Sequence, residues 1–155
     1  MAWHITIDDI GWLAPIWVRP DMTIEHAYEI MRQAGSEGAL VETGQDDPGV
    51  IGYHDLRELV MRGDVNLSDP VGEYASHCPF RTTPASEVHR TLKRMRGYSV
   101  FVVPVWQGNE ILGMCTFTSV SKAVRNALRI RKRSMGGTRL RDDPVFRKAG
   151  QRRAG

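Results

Sequence analysis

The chain is written twice. At a constant offset of 64, without a gap, Pro15 pairs with Pro79, Pro20 with Pro84, Met31-Arg32 with Met95-Arg96, Val41 with Val105, Gly44 with Gly108, Gly49 with Gly113 and Val60 with Val124. Conservative pairs fill the intervals: Ile7/Val71, Asp9/Glu73, Ile24/Val88, Tyr28/Leu92, Tyr53/Phe117 and Leu56/Val120. Turn residues and apolar residues keep the same register, which marks a structural repeat. The copies run over 7–70 and 71–134, and 135–155 follow as an appendage. A unit of about 60 residues buries too little surface to be comfortable alone. The fold must therefore give the two copies a shared core.

Within the first copy, Ile16-Trp17-Val18 is a short extended piece stopped by Pro20, since the residue before a proline is pushed towards extended geometry. In TIEHAYEIMRQAG, Ile24, Ala27, Tyr28 and Met31 follow helical spacing; Asp21 or Thr23 can cap the start and Gly35 can stop it. GALVE (38–42) reads as a strand, TGQDDPG as a turn and VIGY as a second strand, with a helix from about Leu56 to Arg62. The second copy repeats the order. Ser86 stands near the helix start, Val88, Leu92 and Met95 share a face, VFVVPV and ILGMCTF are strands about the QGNE turn, and a last helix over about 120–133 buries Val120, Val124 and Leu128. The expected class is α+β: two β-α-β-β-α repeats packed sheet to sheet around a pseudo-two-fold axis, helices outside, with paired clefts at the seam.

Charge divides the chain. Residues 1–124 carry 10 Lys/Arg against 16 Asp/Glu, net −6, and residues 125–155 carry 11 Lys/Arg against 2 Asp, net +9. Such asymmetry points to an interaction tail. Arg129, Arg131, Lys132, Arg133, Arg139 and Arg141 are its candidate contacts, for nucleic acid, anionic lipid or an acidic protein face, including the acidic body of a dimer partner. Phosphate contacts of this kind are independent of sequence and weaken with salt. Phe146 is the one aromatic of the tail, so no stacking pattern for single strands is present. No apolar run approaches the ~18 residues of a membrane span, and MAWHITIDD lacks the basic head and apolar stretch of a secretory signal. Cys78 and Cys115, without a CxxC, read as reduced, buried thiols of a cytoplasmic protein.

The segments VRPDMTIEHAYEIM, GALVE and GVIGYHDL resemble one cystathionine-β-synthase (CBS) domain, and FRTTPASEVHRTLKRM, VVPV and LGMCTFTSV resemble a second. The likeness covers about residues 7–130. It implies a free-standing tandem pair, or Bateman module, that dimerises, regulates a partner and is not an enzyme. Its expected ligand is adenosine-containing (AMP, ADP, ATP or S-adenosylmethionine), held between the copies, with no required cofactor. The family's ligand motif is Gly, two apolar residues, Thr or Ser, two variable residues, then Asp. Hydroxyl and carboxylate hold the ribose, and a carboxylate accepting from the 2′- and 3′-hydroxyls makes the stronger, charge-assisted kind of hydrogen bond.

Each copy keeps half of that pair. Gly52 and Asp55 give the first an acid without its hydroxyl, and Thr116 and Ser119 give the second a hydroxyl without its acid. The resemblance assigns the remaining ligand contacts to the first strands, Val18 and Pro20 with Thr82 and Pro84, and to the second strands, Gly38-Ala39 with Val102-Val103, together with Val50 and Arg57. Relatives that bind phosphate often place His or Arg just before the second strand. Glu37-Gly38 and Phe101-Val102 stand there instead, and Glu37 would repel a phosphate. Arg57, Arg94 and Arg96 are the cations nearest in sequence. Ligands of low negative charge are favoured.

Plainer roles compete. Asp55 with Glu58 three residues on has a capping-box pattern, and Ser119 is an N-cap candidate by the same logic. Thr116 is at home at a strand end. The five histidines share no ligand spacing, so no metal site is expected. Asp8-Asp9 and Asp46-Asp47 read as solvated pairs, and Trp3, Trp12 and Trp17 as packing at a core edge or a dimer contact. The alternative to a ligand sensor is a structural or interaction module whose tail binds nucleic acid or protein.

Overall fold

The computed structural model describes residues 4–133. Arg139, Arg141 and the Gly136-Gly137 break lie outside the described residues, as does Trp3. A short helix α1 (Ile7–Ile10) leads into strand β1 (Trp17–Val18), helix α2 (Ile24–Ala34), strands β2 (Gly38–Val41) and β3 (Gly49–Gly52) and helix α3 (Tyr53–Arg62). A 3-10 turn (Val71–Tyr74), strand β4 (Ser76–His77), helix α4 (Val88–Gly97), strands β5 (Val102–Gln107) and β6 (Glu110–Thr116) and helix α5 (Phe117–Arg133) complete it. Thr23, and not Asp21, caps α2: its hydroxyl accepts from the His26 N–H at 3.1 Å. Gly35 ends α2 in the left-handed conformation at φ 63°, where a residue without Cβ carries no penalty.

Both junction helices begin three residues earlier than the spacing suggests, at Tyr53 and Phe117. The aromatic is the first helical residue because its N–H is taken by the residue before the neighbouring strand: Tyr53 donates to Glu37 O and Phe117 to Phe101 O, each at 2.8 Å. Val120, Val124 and Ala127 form the buried stripe of α5, and Leu128 is 47% exposed. The reading of Leu128 as core is thereby corrected in favour of its neighbour, three residues beyond Val124.

The first sheet runs β1-β2-β3-β4, with β1 and β2 parallel and the rest antiparallel. The second, β5-β6, is widened by single bridges from Thr82 to Val105 and from Leu13 to Met114. The Thr82 bridge repeats the Val18–Val41 pairing of the first copy at the offset of 64. Apolar side chains of both sheets meet in one cluster, where Leu40 and Val50 join Val102, Val103, Val105, Met114 and Cys115.

The leading segments are exchanged. Ile5, Ile7, Ile10 and Trp12 pack into the core of the second copy, whereas Val71 packs with Ile24, Ala27, Met31 and Val41 of the first. Val88 N–H donates to Ile5 O at 2.8 Å, and at the equivalent place Ile24 N–H donates to Asp69 O at 3.0 Å. Each fully buried side chain of this size contributes about 1.5–3 kcal/mol, so the exchange ties the copies strongly.

The acid pairs are not merely solvated. Asp9 accepts from the Thr6 N–H at 3.0 Å and closes the start of α1. Asp47 meets the Arg81 guanidinium at 2.6 Å, and that guanidinium lies 3.9 Å from the Trp106 ring centre. A turn of the first copy is thus pinned to the second.

Candidate functional site

The seam has its pseudo-axis where Gly38 faces Val102, equivalent positions of the two copies. A Cβ on Gly38 would come within 2.1 Å of Val102 Cγ2. On one side of this contact β3 runs straight into α3, and the Gly52-Asp55 motif forms the edge of a hollow. Ile51, Gly52, Asp55, Glu58, Leu59, Arg62, Tyr74 and Ser76 line a space of about 250 Å³. It adjoins a narrow slot of about 20 Å³, where Val50, Gly52, Asp55 and Ser76 of one wall face Ser99, Val100, Phe101 and Val102 of the second copy.

Asp55 is not the helix cap. Gly52 is the N-cap residue and provides no side-chain hydrogen bond, so Asp55 sits in the first turn of α3. There the unpaired N–H groups and the helix dipole favour a negative charge. No described residue hydrogen-bonds to the Asp55 carboxylate or pairs with it, and the residue is exposed. Glu58, its neighbour in the hollow, is held by Arg62 in an ion pair along α3.

The second copy shows what a hydroxyl at the motif's fourth place does. Thr116 Oγ1 accepts from the Ser119 N–H at 3.0 Å, Ser119 Oγ accepts from the Thr116 N–H at 3.0 Å, and the Ser119 hydroxyl also donates to Thr116 O at 2.9 Å. This is a reciprocal capping box. Thr116, not Ser119, starts the helix, and both hydroxyls are engaged with local backbone. Gly52 breaks the same box in the first copy. A Cβ there would lie 3.1 Å from Asp55 Oδ2.

The other expected contacts are dispersed. Val50, Gly52, Asp55 and Val102 come together at the slot. Val18, Ala39, Thr82 and Val103 are buried in the cores at 1% exposure or less. Pro20 packs on Gly72, and Pro84 lines a separate hollow of about 460 Å³ with Asp8 and Trp12. Arg57 is exposed on α3; the hydrogen bond with the Tyr28 phenol, and then burial, raise the pKa of nearby Tyr53 above the usual tyrosine value, with the Arg57 charge opposing them weakly. Arg94 lies over the Phe80 ring and Arg96 over the Phe117 ring. Glu37 does not line the Asp55 slot, where Phe101 stands instead. Arg129 is exposed on α5.

Sequence reasoning missed Ser76, Tyr74 and Ser99. Ser76 and Tyr74 arrive through the exchanged segment, and their signal lay in the equivalence of 71–77 with 7–13. The Tyr74 phenol donates to Asp69 at 3.1 Å, and burial is the largest cause raising its pKa. Ser99 holds φ 54° where the first copy has Gly35 at 63°. Among the described residues no helix is long and apolar enough to cross a membrane, and no group of three or more His, Cys, Asp or Glu is placed to hold a metal ion.

Residues 7–62 match the family model of the CBS domain. Solved structures of CBS-domain proteins share this fold over most of the chain. One from Agrobacterium tumefaciens is 20% identical, with a TM-score of 0.65 over 77% of this chain and 99% of that one. A CBS-domain protein from Pyrobaculum aerophilum, solved in complex with AMP, is 18% identical with a TM-score of 0.64, covering 81% and 99%. A CBS-domain pair solved with 5′-methylthioadenosine and S-adenosyl-L-methionine is 16% identical with a TM-score of 0.66, over the same shares of both chains.

Proposed function

Taking residues 7–62 as a CBS domain and the whole described chain as having the fold of a CBS-domain pair, we propose that this protein is a regulatory, non-catalytic module that binds an adenosine-type ligand beside Asp55. The observation that carries this reading is an unpartnered carboxylate in the first turn of a helix, at the edge of a hollow between the copies. A ribose there would donate both hydroxyls to Asp55. Glu58 and Arg62 offset one another, which leaves the Asp55 charge in excess; adenosine, 5′-methylthioadenosine, S-adenosylmethionine or AMP fits this better than ATP. Because the slot draws one wall from each copy, occupancy favours one relative placement of the two and can be read by a partner. AMP, methylthioadenosine and S-adenosylmethionine in similar folds support the ligand class.

The test is thermal melting with a panel of these compounds. A ligand at 100 times its Kd adds about 2.7 kcal/mol of stability. Wild type is expected to show a raised midpoint with at least one compound, and Asp55→Asn to need roughly ten- to hundredfold more of it, as for loss of a hydrogen bond to a charged group. No shift at millimolar concentration with any compound overturns the reading.

One observation favours a second reading, that of an interaction module: the Thr116–Ser119 box occupies the hydroxyls of the other motif. In that case the basic segment bearing Arg129, Arg131, Lys132 and Arg133 is the functional part, binding nucleic acid or an acidic protein face. Equal salt-dependent DNA and RNA binding by the full chain and by residues 1–134 carrying Ala at those four positions removes it. A homodimer in the cytoplasm suits either reading, with exposed Met61 and Leu128 as apolar surface and both thiols buried and free.

A further inference from the structure

We infer that Ser76, brought in by the exchanged segment, supplies the hydroxyl that Gly52 lacks and makes the Asp55 hollow select a ribonucleoside over its deoxy analogues. This rests on the adenosine reading above. Ser76 lies directly opposite Val50 in the β3–β4 ladder. Directly paired residues of neighbouring strands project to the same face, as do residues two apart. Ser76, Val50 and Gly52 therefore share the side of the sheet that borders Asp55. Both adjoining spaces are lined by Ile51, Gly52, Asp55 and Ser76. Ser76 is exposed, and no described residue hydrogen-bonds to its hydroxyl.

The donors and acceptors balance. Each ribose hydroxyl donates its proton to the Asp55 carboxylate and leaves its oxygen as an acceptor. The Ser76 O–H is a donor of the right kind for that oxygen. In the second copy the position equivalent to Ser76 is Trp12, 3% exposed and pressed against Gly113. That copy has neither a free motif hydroxyl nor a serine to replace it. The ribose contact is therefore confined to the Asp55 side.

Calorimetric titration of adenosine, 2′-deoxyadenosine and 3′-deoxyadenosine into wild type, Ser76→Ala, Ser76→Thr and Asp55→Asn tests this, with melting midpoints recorded for each variant. Ser76→Ala is expected to weaken adenosine roughly three- to tenfold. It should leave unchanged the deoxy analogue lacking the hydroxyl that Ser76 contacts. Ser76→Thr should keep wild-type affinity, and Gly52→Ser added to Ser76→Ala should restore part of the loss. Equal weakening of all three ligands, or wild-type affinity of Ser76→Ala while Asp55→Asn loses binding, overturns the role of Ser76 and leaves the adenosine reading in place. No binding of adenosine to wild type removes both.

Discussion

Gly38 and Val102 hold the same place in the two copies and touch each other across the seam. The first copy can afford no side chain there, because a Cβ would meet Val102 Cγ2 at 2.1 Å and Ile51 O at 2.9 Å. One large and one absent side chain at equivalent positions is how a duplicated fold closes tightly on its own axis.

Gly38→Ala is therefore expected to destabilise the chain by about 1–3 kcal/mol, the range for inserting atoms into a packed core. Val102→Ala in the same chain should recover part of the loss by removing Cγ2, although the backbone clash with Ile51 O remains. Urea midpoints of the two variants and wild type measure this; a Gly38→Ala protein as stable as wild type contradicts the packed seam.

Thr82 is 1% exposed and its hydroxyl has no hydrogen-bond partner among the described residues. A buried, unsatisfied hydroxyl costs about 1–3 kcal/mol. The first copy holds Val18 at this place. Thr82→Val, which keeps the shape, should raise stability by about 1 kcal/mol in urea unfolding. A loss of stability would show that the hydroxyl has a partner in solution.

Burial holds the Cys115 thiol pKa up at about 12 and also raises that of Cys78. An unfolded thiol ionises near pH 8.5. Between those values the unfolded chain sheds a proton that the folded chain keeps, so stability falls as pH rises above about 8.5. Below that value the contribution is fully present. Unfolding free energy compared at pH 8 and pH 10.5 should drop less in Cys115→Val than in wild type. An identical drop in both proteins rules out Cys115 as its source.

The repeat made most of the architecture legible. The order β-α-β-β-α, the helical face of Ile24, Ala27 and Met31, and the stop at Gly35 all follow from spacing and turn chemistry. Helix starts were harder, because Tyr53 and Phe117 carry strand preference and only the Glu37 and Phe101 carbonyls across the junction mark them as helical. Ala127 and Leu128 stand three and four residues beyond Val124, both compatible with helical spacing, and propensity alone cannot say which of them meets the core. At the site, Asp55 and Gly52 stood out by comparing the two motifs, and both line the hollow at the junction of β3 and α3. Ser76 did not stand out, since its pairing with Val50 is a long-range contact of a two-residue strand without periodicity.

The crossed arms at residues 5–12 and 71–77 have a consequence for any half-length chain. Severed between the repeats, the first half keeps an arm cut to fit its sibling and lacks the one that completes itself. Two such halves can satisfy each other only by embracing, each lending what the other misses. Fusion of the halves turns that embrace into an intramolecular one, so that neither motif can melt without loosening the floor beneath its twin.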